Sequence, residues 1–157
     1  MGKIYYVMGK SASGKDTIYK RLVKKMPELG TVRMYTTRPI RDGETNGVEY
    51  IFTDEKQLQA MKDAGKVIEC RTYDTIYGPW SYFTADDGQI DLGSCSYLMM
   101  GTLESYEGLC KYYGAEVMVP LYIHVEDGVR LQRALNRENT QKNPKYAEMC
   151  RRFLADE

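Results

Sequence analysis

Residues 3–17 read Lys3-Ile4-Tyr5-Tyr6-Val7-Met8-Gly9-Lys10-Ser11-Ala12-Ser13-Gly14-Lys15-Asp16-Thr17, and this stretch decides the fold. Its apolar opening predicts a short buried strand over 3–8. Gly9 to Gly14 is a turn-rich loop. Beyond it Ile18, Leu22, Val23 and Met26 recur at helix spacing, with Lys20, Arg21, Lys24 and Lys25 off that face. A helix therefore runs over 16–26 and stops at Pro27 and Gly30. A loop of the form G-x-x-x-x-G-K between a strand and a helix is the context in which backbone N–H groups cradle a phosphate. The glycines let the backbone curl, the helix N-terminus adds about half a positive charge, and Lys15 reaches the outer phosphates. Gly9, Ser11, Ser13, Gly14, Lys15, Asp16 and Thr17 are the candidate nucleotide-binding residues. Asp16 stands where a magnesium-ligating Ser or Thr usually follows the lysine. It is either the metal's protein partner or an acid favoured by the helix dipole.

Outward from this loop, residues 33–52 are polar and turn-rich and close in Val48 to Phe52. Thr53 reads as an N-cap for a helix over 54–64, stopped by Gly65. A strand follows over 66–73, then a Tyr77-Gly78-Pro79 turn. Trp80–Thr84 and Gln89–Leu92, joined through Asp86-Asp87-Gly88, read as a hairpin. Strands are expected over 96–100 and 117–125, and helices over 103–113, 128–137 and from 146. Residues 136–144 read as a mobile loop. The alternation of strand and helix predicts a parallel α/β sheet, and 33–84 reads as an insertion into it. The helical pattern of Arg151 to Glu157 carries no stop signal, so the chain reads as truncated.

The 157 residues suit a single domain, with 43% hydrophobic residues to fill a core. Lys plus Arg and Asp plus Glu each total 22, which excludes a nucleic-acid binder held by excess charge and an acidic tail protein. One histidine, His124, leaves no His-cluster metal site and no protease triad. Cys70, Cys95, Cys110 and Cys150 lie too far apart for a Cys-x-x-Cys clip and read as reduced thiols. No apolar run approaches the ~20 residues of a membrane span, and Ile4 to Met8 is too short for a signal peptide. A cytoplasmic protein without membrane partners is expected.

A second motif is more specific. Thr36-Thr37-Arg38-Pro39-Ile40-Arg41-Asp42-Gly43-Glu44, with Gly47 and Tyr50-Ile51-Phe52, resembles the T-T-R-x-P-R-x-G-E-x-x-G-x-x-Y-x-F signature of guanylate kinases, the proline sitting one place early. Glu69, within Val67-Ile68-Glu69-Cys70, and the Tyr77-Gly78 turn are similar to further family elements. Arg133, Arg137 and Arg151 or Arg152 resemble its lid arginines. The resemblance implies a P-loop NTPase fold: a three-layer parallel-sheet core (1–32 and 93–135), a nucleoside-monophosphate-binding insert (33–84), a lid (about 136–147) and a C-terminal helix from 146. It implies a kinase moving the γ-phosphoryl of ATP, with Mg2+, to a nucleoside monophosphate, GMP first among them. Lys15, Arg38, Arg133 and Arg137 are its expected catalytic residues. Arg38, Arg41, Tyr50, Glu69 and Tyr77 would hold the acceptor, since Arg forks bind phosphate oxygens in pairs and Tyr hydroxyls add donors. Arg130, Arg133 and Arg137 share one helix face that would swing over the transferring group.

The departures matter as well. Where the family reads guanine with two hydroxyl residues and a strand-end aspartate, this chain has Met34, Pro79 and Met99-Met100-Gly101; Glu69 alone remains. Two alternatives stand beside the GMP kinase: a P-loop kinase for another phosphorylated small molecule, such as a deoxynucleotide or sugar bisphosphate, and a non-catalytic interaction module. Modules tend to lose the loop glycines and lysine that Gly9, Gly14 and Lys15 supply here.

Overall fold

The computed structural model describes residues 1–157. Strand β1 (Ile4–Met8) is apolar along its length because it has parallel neighbours on both sides. The chain leaves its carboxyl end through the Gly9–Gly14 loop and enters α1 (Lys15–Lys25), whose axis begins at Gly14 with φ 85°. Strand β2 (Gly30–Thr31) follows at the sheet edge.

The chain then builds a second sheet from β3 (Tyr35–Thr36), β4 (Ile51–Phe52), β5 (Val67–Thr75) and β6 (Gly78–Ala85), with α2 (Glu55–Asp63) between β4 and β5. The order is β4-β3-β6-β5; β3 runs parallel to β4 and antiparallel to β6. This sheet has its own small core of Leu58, Phe83 and Ala85.

Two local expectations are corrected here. The N-cap of α2 is Asp54, whose side chain accepts from the Gln57 N–H at 2.8 Å, while Thr53 bonds the Gln57 side chain. The carboxylate is the stronger acceptor for a helix N-terminus. The hairpin is β5–β6, not 80–84 with 89–92. Its two-residue turn, Ile76-Tyr77, is closed by Thr75, which accepts from the Tyr77 N–H and donates to the Gly78 carbonyl. Asp86-Asp87-Gly88 starts an irregular connection instead, because Asp87 spends its carboxylate on Gln89 and the Tyr35 hydroxyl.

Strand β7 (Tyr97–Gly101) returns the chain to the first sheet, followed by α3 (Leu103–Tyr113), β8 (Met118–Tyr122), α4 (Asp127–Asn139) and α5 (Tyr146–Ala155). The order β2-β7-β1-β8 is parallel throughout. Pro120 is tolerated inside β8 because that strand is at the edge. The core joins Ile4, Tyr6, Met8, Tyr97, Met99, Leu109 and Val117. The expected loop at 136–144 is shorter than its composition suggested, since α4 continues to Asn139. The chain moves to opposite sides of β1 in β7 and β8, so β1 is the switch point of the sheet, and a crevice opens beyond its carboxyl end. No helix is long and apolar enough to cross a membrane.

Candidate active site

The loop at the end of β1 holds a left-handed residue at Gly14 and, unusually for a residue with a side chain, at Ala12 (φ 58°). The Ser13 N–H donates to the Lys10 carbonyl at 3.2 Å, folding the loop back on itself. A side chain at Gly9 would stand 2.8 Å from both the Ile123 carbonyl and Ser13 Oγ. The Ser13 hydroxyl is buried and has no hydrogen-bond partner. A buried hydroxyl without a partner is rare, and a phosphate bound on this loop would supply one. The first N–H groups of α1 likewise lack intrahelical acceptors. A cleft of about 500 Å³ opens over Ser13 to Thr17 and is lined as well by Arg133 and Arg137. Nothing in it is acidic except Asp16, so it suits a polyanion.

A second cleft, of about 530 Å³, shares Ala12, Lys15, Asp16 and Arg137 with the first. It runs to Arg41 of the β3–β4 connection, Tyr77 of the β5–β6 turn and Trp80 of β6, and to Glu148 and Arg152 of α5. Three separate parts of the chain therefore meet at Lys15 and Arg137. The Tyr77 and Trp80 rings stack at 6.0 Å and 9° on the rim. Arg133 reaches the Ser13 carbonyl at 3.4 Å. Glu148 bonds both Arg151 and Arg152, and these guanidinium groups hold its carboxyl down at about 2.

Arg130 does not join Arg133 and Arg137 on a mobile face. It is fully buried, bonds Asp127 (2.8 Å), Glu157 (3.0 Å) and the Ser11 carbonyl (3.2 Å), and lies over the Phe153 ring. Asp156 completes the cluster by accepting from the Ser11 N–H at 2.7 Å. A buried guanidinium needs this many partners.

The acceptor-side residues divide. Arg41 and Tyr77 line the second cleft. Arg38 does not: it is 3% exposed, forks onto Glu44 at 2.8 and 3.0 Å, and lies against Tyr50 and Phe52. Burial raises the Tyr50 hydroxyl above its ordinary range. The Arg38 fork and the Arg41 N–H hold the Glu44 carboxyl at about 2, against an ordinary 4.5. Between those values the unfolded chain binds a proton that the folded chain refuses, so this clamp stabilises fully above about pH 4.5 and is lost as pH falls toward 2. Urea midpoints measured from pH 6 down to pH 3 should fall less in Glu44→Gln than in the unsubstituted protein; parallel curves would show that the clamp contributes nothing.

Glu69 lies in neither cleft. It is buried on β5, where its Oε1 accepts from Thr84 Oγ1 at 2.7 Å and its Oε2 from Arg71 Nε at 3.1 Å. Sequence reading overlooked Arg71, although side chains two apart on a strand share a face. It also overlooked Trp80, whose signal was its place just beyond the Tyr77-Gly78-Pro79 segment.

Comparison with known proteins gives a consistent family. The guanylate kinase family model matches residues 1–81. A guanylate kinase of Legionella pneumophila is 37% identical over 78 residues, 49% of this chain and 37% of the relative. One of Coxiella burnetii is 37% identical over 76 residues, 48% of this chain and again 37% of the relative. The matched segment thus spans little more than a third of these relatives. A crystal structure of guanylate kinase from Anaplasma phagocytophilum superposes with TM-score 0.61 at 22% identity, covering 86% of this chain and 67% of that one, and shares the fold.

Proposed function

The chain belongs to the guanylate kinase family, and from that premise we propose that it transfers the γ-phosphoryl group of ATP to the phosphate of GMP, releasing ADP and GDP. The observation that carries this reading is the meeting in adjoining clefts of the phosphate loop, with its unpartnered Ser13 hydroxyl, and Arg41 and Tyr77 from the second sheet, with Lys15 and Arg137 between them. The ATP phosphates sit on the loop N–H groups, the Ser13 hydroxyl and Lys15. The GMP phosphate sits on Arg41 and Tyr77, with Tyr50 beside them and Arg38 recruited when Glu44 releases it. An acceptor phosphate oxygen bonds the γ-phosphorus as the bond to the ADP oxygen breaks. Arg133 and Arg137 spread the charge of the group in transit; the chemistry is positioning and electrostatics rather than covalent catalysis. In this reading residues 33–84 carry the acceptor, 136–147 close over it, and 1–32 with 93–135 form the core. ATP, GMP and four unpaired thiols together point to the cytoplasm.

Magnesium fits this site without a protein cage. No three His, Cys, Asp or Glu side chains cluster here, and magnesium ordinarily takes one or two carboxylates, water and substrate phosphates. Asp16, exposed next to Lys15 in both clefts, is the carboxylate, with Thr17 next to it. The bound ion would neutralise phosphate charge. Asp16→Ala should raise the magnesium needed for half-maximal rate about ten-fold or more, while metal-free ATP binding, followed by Trp80 fluorescence, changes little. An unchanged magnesium titration would reduce Asp16 to a helix-end acid.

The deciding experiment is coupled ADP release with Mg-ATP and GMP, dGMP, AMP, CMP and UMP. GMP should have the highest kcat/KM. Turnover of another phosphorylated acceptor with GMP ignored would reject the assignment, and absence of any turnover with ATP still bound would favour an interaction module.

A further inference from the structure

Glu69 and Arg71 lie on one face of β5, 8% and 7% exposed. A guanidinium has five N–H groups. Arg71 gives Nε–H to Glu69 (3.1 Å), one Nη1–H to Thr102 Oγ1 (3.2 Å) and one Nη2–H to the soft Met34 sulfur (3.8 Å). One N–H on each terminal nitrogen is left without a protein acceptor. Each Glu69 oxygen accepts a single bond and retains a lone pair. Buried donors and acceptors left open side by side form a hydrogen-bonding edge, and leaving them so is costly.

The pair carries no net charge, so it does not select an anion; the anion sites are the phosphate loop and the arginines of the clefts. What matches it is a neutral group with a carbonyl next to an N–H. The carbonyl takes the guanidinium proton and the N–H serves the carboxylate. This is the lactam edge of a keto nucleobase, and guanine adds an exocyclic amine as a second donor to the carboxylate. Adenine presents an amine next to a bare ring nitrogen, the reverse order. The edge is also held rigidly. Thr102, which fixes Arg71, is the N-cap of α3. Gly108 lets that helix lie on Glu69, since a Cβ there would stand 2.6 Å from Glu69 Cβ. Arg71 stands opposite Tyr82 across β5 and β6, and the Tyr82 ring packs against Tyr50, which lies beside the Arg38 guanidinium, so the pair shares a face of the second sheet with residues expected to hold the acceptor phosphate. Met34, against Arg71, offers no hydroxyl to share the task.

We propose that Arg71 is a specificity-determining residue that donates to the keto oxygen of the acceptor base while Glu69 accepts from the neighbouring N–H. The inference rests on the acceptor being a nucleoside monophosphate, as proposed above. Its test compares GMP, 6-thio-GMP and AMP in the ADP-release assay. Thio substitution keeps the ring N–H and exchanges the oxygen for a weaker acceptor. The unsubstituted protein should prefer GMP to 6-thio-GMP by about ten-fold or more. Arg71→Gln and Arg71→Lys should lower kcat/KM for GMP, mainly through KM, and shrink the thio penalty to a few-fold, with ATP binding unchanged. Glu69→Gln should lower kcat/KM for GMP yet keep the thio penalty. Equal rates for GMP and 6-thio-GMP in the unsubstituted protein would overturn the proposal without any variant, as would a full thio penalty in Arg71→Gln. An unsubstituted protein that ignores GMP but phosphorylates another acceptor fails the underlying reading; one that uses GMP without these effects fails this inference alone.

Discussion

Lys15→Ala should lose phosphoryl transfer by about a thousand-fold or more while unfolding at the temperature of the unsubstituted protein. The two halves of this expectation have separate causes. The loop's shape comes from its backbone: Gly14 at φ 85°, Ala12 at φ 58° and the Ser13-to-Lys10 hydrogen bond. None of these needs the lysine side chain, which sits half-exposed between the two clefts. Its ammonium is the one cation from the loop-and-helix element that reaches both clefts, so in the proposed reaction its removal would strike the group in transit. ADP release and a thermal melt decide the matter together. Turnover within a few-fold of normal would reject the phosphate-loop assignment, and a large drop in Tm would make the effect structural.

Arg137→Ala should lower kcat by about a hundred- to a thousand-fold and leave KM for both substrates within a few-fold. Arg137 is the α4 arginine that lines both clefts, whereas Arg133 lines the first only. In the proposed reaction a cation in that position would meet the phosphoryl group during transfer more strongly than either resting substrate, and such a group acts on kcat. It is exposed, with no buried partner to strand, so folding should be untouched. Arg133→Ala should cost less. A rise in KM with kcat preserved would move Arg137 from charge stabilisation to plain binding.

What was legible in the sequence was what is local. The phosphate loop announces itself because glycines, lysine, strand and helix all fall within Ile4 to Met26, and the structure keeps every one in place. Arg41 and Tyr77 were readable from motif position, and both line the second cleft. The hairpin was misplaced because Asp87-Gly88 and Tyr77-Gly78 are both competent turns; strand pairing across β5 and β6, a tertiary matter, chose between them. Arg38 and Arg130 look like free cations in sequence. Their engagement depends on Glu44 in one case and on Asp127, Asp156 and Glu157 in the other, and the last two are brought in from the far end of α5. Arg71 was hidden because a charged residue on a strand ordinarily faces water, and only the packing of α3 against Glu69 shows that this face turns toward the protein.

The Arg130 cluster ties the end of α5 to the phosphate loop. Arg130 holds the Ser11 carbonyl and the Asp156 and Glu157 carboxylates at once, and Asp156 in turn holds the Ser11 N–H. Arg152, one turn back along the same helix, lines the second cleft, proposed above to take the acceptor. In the proposed kinase, a ligand bound at Arg152 would sit one helical turn from the carboxylate that holds the Ser11 N–H. Thermodynamic linkage then demands reciprocity: whatever factor occupancy of the acceptor cleft applies to affinity at the phosphate loop, occupancy of the loop returns to the acceptor.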